Sequence, residues 1–301
     1  MTMSWVLPAL LAAASSLIPA SAIKVYEVRP SQADPGGRQY DDPSYVMAAP
    51  GREADAPLAL FLTGTSGKPA YAGLLLSVIA QLGYRVIGLA YDDTPAVSQV
   101  CPQDPDPDCS SRFREMRITG EGGFRPVSNP KAEAIANRLV AALQRLDQEH
   151  PGEGWGQYLD GDQPRWSHIV VSGQSQGAGM AAWIAKRHEV ARVVLFSSPW
   201  DVAGPRHEPA PWLREPSRTP MDRWYAEYHA KEKTADLIVS AYAALQIPQD
   251  HIRVFDKGLP PNEPGAGPNP YHVSTIRNPA YAPDWMEMYG RPAPAQAADG
   301  R

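Results

Sequence analysis

The stretch from Ser167 to His188 reads SHIVVSGQSQGAGMAAWIAKRH and decides the fold. It opens with an apolar β-branched run at residues 169–171, typical of a strand that is buried on both faces. It ends in an alanine-rich segment with amphipathic helical spacing. Between them, residues 173–177 read GQSQG, and a G-x-S-x-G sequence at a strand-to-helix turn is the context of a nucleophile elbow. Side chains at the flanking positions would collide with neighbouring backbone, so glycine is needed on both sides. The pattern predicts that Ser175 Oγ is presented at the carboxyl edge of a sheet, above the start of a helix.

Length and charge limit the fold and the partners. The chain has 301 residues, and removing a leader of 22 leaves about 280, which suits one α/β domain with insertions. The formal net charge is −5 and no basic patch is visible, which argues against nucleic acid as a partner. The body of the chain has no apolar run of about 20 residues, so we expect no transmembrane segment in the mature chain.

The N-terminus has the pattern of a secretory signal peptide. Residues 5–18 are mostly apolar, and Ala20-Ser21-Ala22 fits an A-x-A cleavage site, although no Lys or Arg precedes the apolar run. The alternative is a buried or anchoring helix. Cleavage after residue 22 predicts a secreted or periplasmic protein. Cys101 and Cys109, in the loop CPQDPDPDC, are then expected to form a disulfide rather than two free thiols.

Apolar runs alternate with helical spacings along the rest of the chain. Strands are predicted at residues 23–28, 45–48, 58–63, 84–90, 191–197, 223–229 and 251–255, and helices at 69–82, from Asn129-Pro130 onward, and at 235–245. The segment that holds both cysteines reads as irregular. This alternation predicts an α/β fold, with a mostly parallel central β-sheet flanked by helices.

We predict one domain over residues 23–290, with an insertion and a tail. Residues 200–222 are rich in Pro and Trp without clean periodicity, and we interpret them as a cap or lid over the site. Residues 291–301 have the composition of a disordered tail. The sequence GTSGK at 64–68 lacks the full phosphate-loop spacing, and His207-Glu208 lacks the second histidine of a zinc helix. We therefore expect no metal and no cofactor.

The elbow within this alternation resembles the α/β-hydrolase superfamily of serine hydrolases, in which the chain order is Ser, Asp or Glu, then His. In that family the histidine lies in the loop after the last strand. The corresponding segment here is 256–277, and its only histidine is His272. The resemblance implies that Ser175 is the nucleophile and His272 the base.

The family places the acid after the preceding strand, at its carboxyl end. Glu232 lies immediately beyond the strand at 223–229 and is our choice. Asp201, which follows the strand before that one, is a rival because some family members carry the acid there. Asp236 is a second rival, although it fits the first turn of the next helix.

The resemblance also implies an oxyanion hole of two backbone N–H groups. One belongs to Gln176, the residue after the nucleophile. The other comes from the loop after the strand at 58–63, with Thr65 as first choice and Ser66 as the alternative. The family often has His-Gly in that loop, whereas this chain has Thr63-Gly64, which leaves the donor open.

These residues together predict acyl transfer to water, with a carboxylic ester as substrate. Tyr71, Trp200, Trp212 and Trp224 would supply an apolar, ring-stacking substrate pocket, or else pack the insertion as a small core. A peptidase, or a lactone, thioester or polyester hydrolase, uses the same machinery. A hypothesis of another class is a catalytically inactive binding module on the same fold.

Overall fold

The computed structural model describes residues 17–51, 56–204, 206–260 and 268–292. Most of the predicted signal peptide and most of the predicted tail lie outside these residues. Within them, no helix is long and apolar enough to cross a membrane.

One sheet of eight strands organises the described part of the chain. The strands are β1 Lys24–Val28, β2 Ser44–Ala48, β3 Leu58–Leu62, β4 Arg85–Leu89, β5 Ile169–Gln174, β6 Arg192–Phe196, β7 Trp224–His229 and β8 Ile252–Phe255. Their spatial order is β1-β2-β4-β3-β5-β6-β7-β8. Strand β2 pairs antiparallel with β1 and β4, and every other neighbouring pair is parallel. The predicted mostly parallel sheet is confirmed.

Helices cover both faces of this sheet. The α-helices of the described residues are α1 Pro30–Ala33, α2 Gly73–Gln81, α3 Val97–Val100, α4 Cys109–Thr119, α5 Ile135–Glu149, α6 Gln176–Arg187, α7 Ala235–Leu245, α8 Pro270–Ser274 and α9 Ala282–Tyr289. One apolar cluster joins the sheet to α4, α5, α6 and α7, and a second joins it to α2 and α9. In β3, Leu58, Leu60 and Leu62 belong to the first cluster, whereas Ala59 and Phe61 belong to the second. This alternation explains why the strand is apolar throughout.

Helix α4 replaces part of the segment that the sequence predicted as irregular. Its Arg114 and Arg117 side chains are buried, with exposures of 0% and 1%. Charged residues on the inner face conceal the apolar period by which a helix is recognised. The disulfide between Cys101 and Cys109 is present, with a Cα–Cα distance of 5.6 Å, and joins the loop after α3 to the first residue of α4.

The helix predicted from Asn129-Pro130 begins later, because a 3-10 turn at Lys131–Glu133 precedes α5. Asn129 does not cap the helix. Its side-chain oxygen instead accepts a hydrogen bond of 2.7 Å from Arg117.

The described residues of the predicted insertion form only short elements. Val202–Ala203 and Glu208–Pro209 form a two-stranded ladder, and 3-10 turns follow at Pro211–Arg214 and Met221–Arg223. Its role as a lid stays a prediction.

Candidate active site

Ser175 lies at the sharp bend between β5 and α6. Its backbone has φ 55° and ψ −125°, a conformation that is sparsely populated by residues other than glycine. A Cβ on Gly177 would lie 2.0 Å from the Leu62 carbonyl oxygen, and one on Gly173 would lie 2.4 Å from the Gly177 carbonyl carbon. Both glycines are therefore required by close backbone approach. The serine is half-buried at the carboxyl end of β5, where helix α6 begins.

His272, in α8, contacts Glu232 directly. The Nδ1 atom of the imidazole lies 2.6 Å from Glu232 Oε2, and the two side chains are 15% and 0% exposed. Glu232 Oε1 accepts hydrogen bonds from Ser197 Oγ at 2.6 Å and from the His229 backbone N–H at 2.7 Å. Because the carboxylate accepts the proton on Nδ1, the lone pair of the neutral imidazole is at Nε2.

The two rival acids lie elsewhere. Both Asp201 oxygens accept hydrogen bonds from Arg114, from Nε at 2.8 Å and from Nη2 at 2.5 Å. The indole N–H of Trp212 donates to the same carboxylate at 3.0 Å. Asp236 is exposed in the first turn of α7. Of the three candidate acids, the structure brings Glu232 to the imidazole.

Ser175 and His272 line the same cleft. Gln174, next to the serine, donates from Nε2 to the His272 carbonyl oxygen at 3.1 Å, which ties β5 to α8. Within the described residues the Ser175 hydroxyl makes no hydrogen bond. The third contact of a catalytic triad, from serine to imidazole, stays a prediction.

The loop after β3 approaches the elbow closely. A Cβ on Gly64 would lie 2.9 Å from the Ser175 Cβ. In the part of the chain that the structure describes, the backbone N–H groups of Thr65 and Gln176 donate to no protein acceptor. The Ser66 N–H, by contrast, donates to Asp93 Oδ1 at 3.0 Å and is already engaged. Of the two loop donors considered from the sequence, Thr65 is the one with a free N–H.

Asp93, which follows β4, holds this loop. Its Oδ2 accepts from the Gly67 N–H at 3.1 Å, beside the bond to Ser66. Burial raises the pKa of Asp93 from 3.8 to about 6. The Gln176 side chain reaches the same segment, donating to the Asp93 carbonyl oxygen at 2.6 Å and accepting from the Val97 N–H at 2.8 Å. One short segment therefore braces both predicted oxyanion donors.

A second carboxyl group lies behind the Glu232 carboxylate. Glu227, on β7, is fully buried, and its Oε1 lies 3.5 Å from the Ser197 hydroxyl that donates to Glu232. Its Oε2 has no hydrogen-bond partner among the described residues. Burial, and then the charge of Glu232, raise the pKa of Glu227 well above its ordinary value. Burial therefore favours the neutral form of Glu227.

Two cavities meet at Ser175. The first, here called the narrow pocket, has a volume of about 40 Å³ and is lined by residues that include Thr65, Val97, Cys101, Arg114, Gln176, Trp200 and Asp201. The second, here called the wide cleft, has a volume of about 320 Å³ and is lined by residues that include Thr65, Lys68, Tyr71, His272, Ile276 and Arg277. Only the wide cleft, of these two, includes His272 in its lining.

The four aromatic residues predicted to bind substrate divide into two groups. Trp200 lines the narrow pocket, and Tyr71, which is 54% exposed, lines the wide cleft. Trp212 and Trp224 are fully buried, and neither lines either cavity in the described structure. The indole N–H of Trp224 donates to the Thr219 carbonyl oxygen at 3.2 Å. The structure therefore does not bring Trp212 and Trp224 to the serine.

Sequence reasoning missed several residues around the site. Asp93 had a usable signal, because it directly follows a buried strand whose carboxyl end lies at the same sheet edge as Ser175. Arg114 had none, because its partner Asp201 is 87 residues away, and Glu227 had none, because its burial depends on elements that are distant in sequence. Arg277 lies five residues after His272, just beyond the end of α8. Both residues line the wide cleft.

Comparisons with known proteins are informative only at the level of fold. No protein-family model matches the sequence, and no curated protein matches it. Among solved structures, an S-formylglutathione hydrolase from Agrobacterium tumefaciens matches with a TM-score of 0.51 and 12% identity, covering 90% of this chain and 95% of that one. A ferulic acid esterase matches with a TM-score of 0.47 and 13% identity, covering 89% and 98%. A dienelactone hydrolase from Anabaena variabilis matches with a TM-score of 0.45 and 16% identity, covering 89% and 99%.

The first of these matches, together with the mostly parallel sheet of eight strands, identifies the fold. The chain has the α/β-hydrolase fold.

Proposed function

We propose that this protein is a serine hydrolase that cleaves carboxylic esters through an acyl-enzyme. The observation that carries the proposal is the 2.6 Å contact between Glu232 and His272, in a cleft that also contains Ser175 on its strained turn. A buried carboxylate bound to Nδ1 leaves Nε2 to act as a base, which is the arrangement that activates a serine hydroxyl.

The proposed reaction proceeds in two halves. His272 removes the Ser175 proton, the serine oxygen attacks the ester carbonyl, and the N–H groups of Thr65 and Gln176 stabilise the oxyanion. His272 then gives the proton to the leaving alcohol. In the second half, His272 removes a proton from a water molecule, which attacks the acyl-enzyme carbonyl. The carboxylic acid product leaves as His272 returns the proton to Ser175, and Glu232 stabilises the imidazolium in each half.

The two cavities support one direction for the bound substrate. The leaving oxygen must face the group that protonates it, and His272 lines the wide cleft. The alcohol part of the ester therefore lies there, and the acyl part lies in the narrow pocket. That pocket, at about 40 Å³, has room for about three or four water molecules. We expect a short acyl group, of about the size of acetyl or propionyl.

We also propose that the protein is secreted or periplasmic. The Cys101–Cys109 disulfide and the apolar run that ends at Ala20-Ser21-Ala22 support an oxidising compartment. Expression with the native N-terminus and mass determination of the exported protein test this. The expected product begins near Ile23, and an exported protein that retains Met1 would contradict it.

A fluorophosphonate probe tests the catalytic proposal directly. The wild type should be labelled at one site, located at Ser175 by peptide mapping. Ser175→Ala should abolish labelling and lower kcat/KM for p-nitrophenyl acetate by several orders of magnitude. Ser77→Ala, at a half-buried position of α2, is the matched control, because alanine suits a helix and this hydroxyl lies away from the cleft.

Absence of labelling in a folded wild-type protein, together with no turnover of short esters, would refute the proposal. That result would favour the inactive binding module considered from the sequence.

A further inference from the structure

The wide cleft carries an excess of positive charge. Lys68 and Arg277 line it, and none of its described lining residues is Asp or Glu. The whole chain has a formal net charge of −5, so the cations of the cleft are a local feature against an acidic background. A cleft lined by charge of one sign attracts ligands of the opposite sign.

Arg277 differs from three of the buried arginines of this protein. Arg114, Arg117 and Arg138 each reach a carboxylate, of Asp201, Asp92 and Glu133 respectively. Arg277 is half-buried, and no carboxylate pairs with it in the described residues. Its Nε is buried without a hydrogen-bond partner there. A half-buried guanidinium that lines a cleft and has no carboxylate partner is suited to bind an anion from outside the protein.

The surroundings of Arg277 orient it for such an anion. Its Cζ lies 5.4 Å from the centroid of the Tyr71 ring, so the guanidinium is held over an aromatic face. Lys68 lies at the rim, 3.2 Å from Asp42, and both members of that pair are partly exposed. Exposed ion pairs are weak, so Asp42 does not cancel the attraction of Lys68 for an anion in the cleft.

We infer that the wide cleft selects esters whose leaving group carries a carboxylate, and that Arg277 receives it. The inference rests on the proposed function, because the leaving group is assigned to this cleft by the position of His272. The planar fork of a guanidinium matches a carboxylate with two parallel hydrogen bonds. Arg277 would then be a specificity-determining residue of the proposed reaction.

A pair of matched esters tests the inference. The probes are 3-acetoxybenzoate and its neutral methyl ester, with each kcat/KM divided by the rate of hydroxide-catalysed hydrolysis to correct for leaving-group reactivity. The wild type should prefer the anionic ester about tenfold to a hundredfold, which is the range expected for a charge-assisted hydrogen bond. Added NaCl should reduce that preference, because the cleft is open to solvent.

Three variants separate the role of Arg277 from a general effect of charge. Arg277→Gln should remove most of the preference, and Arg277→Lys should restore part of it, because it keeps the charge and loses the fork. Arg145→Gln changes the net charge equally, on the far helix α5, where Arg145 pairs with Glu149. It should leave the preference unchanged.

The two esters distinguish a failure of this inference from a failure of the proposed function. If the wild type hydrolyses neither ester, the proposed function fails and the inference fails with it. If the wild type hydrolyses both esters without preferring the anionic one, the proposed function stands and the inference is overturned. A preference that survives in Arg277→Gln would also overturn it.

Discussion

Replacing Asp201 by Asn should destabilise the protein severely. The Asp201 carboxylate accepts three hydrogen bonds, two from Arg114 and one from Trp212. The Arg114 and Asp201 side chains are 0% and 2% exposed, so the pair is almost completely removed from bulk water. Removing one partner of a buried ion pair costs about 3–5 kcal/mol, because the other charge remains buried without compensation. Native domains have a total stability of only about 5–15 kcal/mol, so this loss is a large fraction of it.

Urea unfolding measures the effect. Tryptophan fluorescence and far-UV circular dichroism should give coincident transitions if unfolding is two-state. With a slope of about 3 kcal/mol per molar urea, the expected loss lowers the midpoint by roughly 1 to 1.7 M. Glu208→Gln is a suitable control, because Glu208 pairs with Arg206 on the surface and the pair is 83% and 59% exposed. Its midpoint should be almost unchanged.

A double variant tests the physical reason. Arg114→Met combined with Asp201→Leu removes both charges, and such replacements of buried pairs are often neutral or stabilising. The double variant should therefore be more stable than Asp201→Asn alone. A loss below about 1 kcal/mol in Asp201→Asn, or a double variant that is no more stable, would refute the account of Asp201 as the partner of a buried arginine.

Three further perturbations have defined outcomes. Glu232→Gln should lower kcat by about 10⁴, because an amide cannot hold His272 in the required tautomer, and a loss below tenfold would contradict its role as the acid. Replacing Cys101 and Cys109 by Ser should lower the free energy of unfolding by about 2.5 kcal/mol, since the bond closes a short loop; an unchanged urea midpoint would contradict this. The pKa of Asp93 is raised to about 6 from 3.8, so its contribution to stability is full below pH 3.8 and is lost as the pH rises through 6. The free energy of unfolding of the wild type minus that of Asp93→Asn should therefore decrease between pH 4 and 7, and a constant difference would contradict the raised pKa.

The sequence predicted those parts of the fold that depend on local pattern. The apolar runs of β3, β4 and β5 and the turn at Ser175 are each contained within a few residues, and all were found. The choice of Glu232 followed from chain order in a resembling family. The structure brings it to His272 because Glu232 follows β7, His272 follows β8, and these two strands are parallel neighbours that end at the same edge of the sheet.

Features that depend on distant partners were not predictable. Arg114 and Arg117 read as surface residues because arginine is rarely buried unless it is paired. Their carboxylate partners, Asp201 and Asp92, lie 87 and 25 residues away in sequence, so no local window contains the pair. Helix α4 was not predicted for the same reason, because its inner face carries these charged residues instead of apolar ones.

The pair Glu227 and Glu232 illustrates why a site cannot be read from residue types alone. The two are five residues apart at the end of β7, and as sequence they are equivalent acids. Glu232 accepts hydrogen bonds from the Ser197 hydroxyl, the His229 N–H and the His272 imidazole. Glu227 is fully buried with one oxygen unpartnered, which favours its neutral form, and the charge of Glu232 strengthens that preference. Folding therefore makes one the hydrogen-bond partner of the imidazole and raises the pKa of the other behind it. The difference arises entirely from groups that other elements contribute.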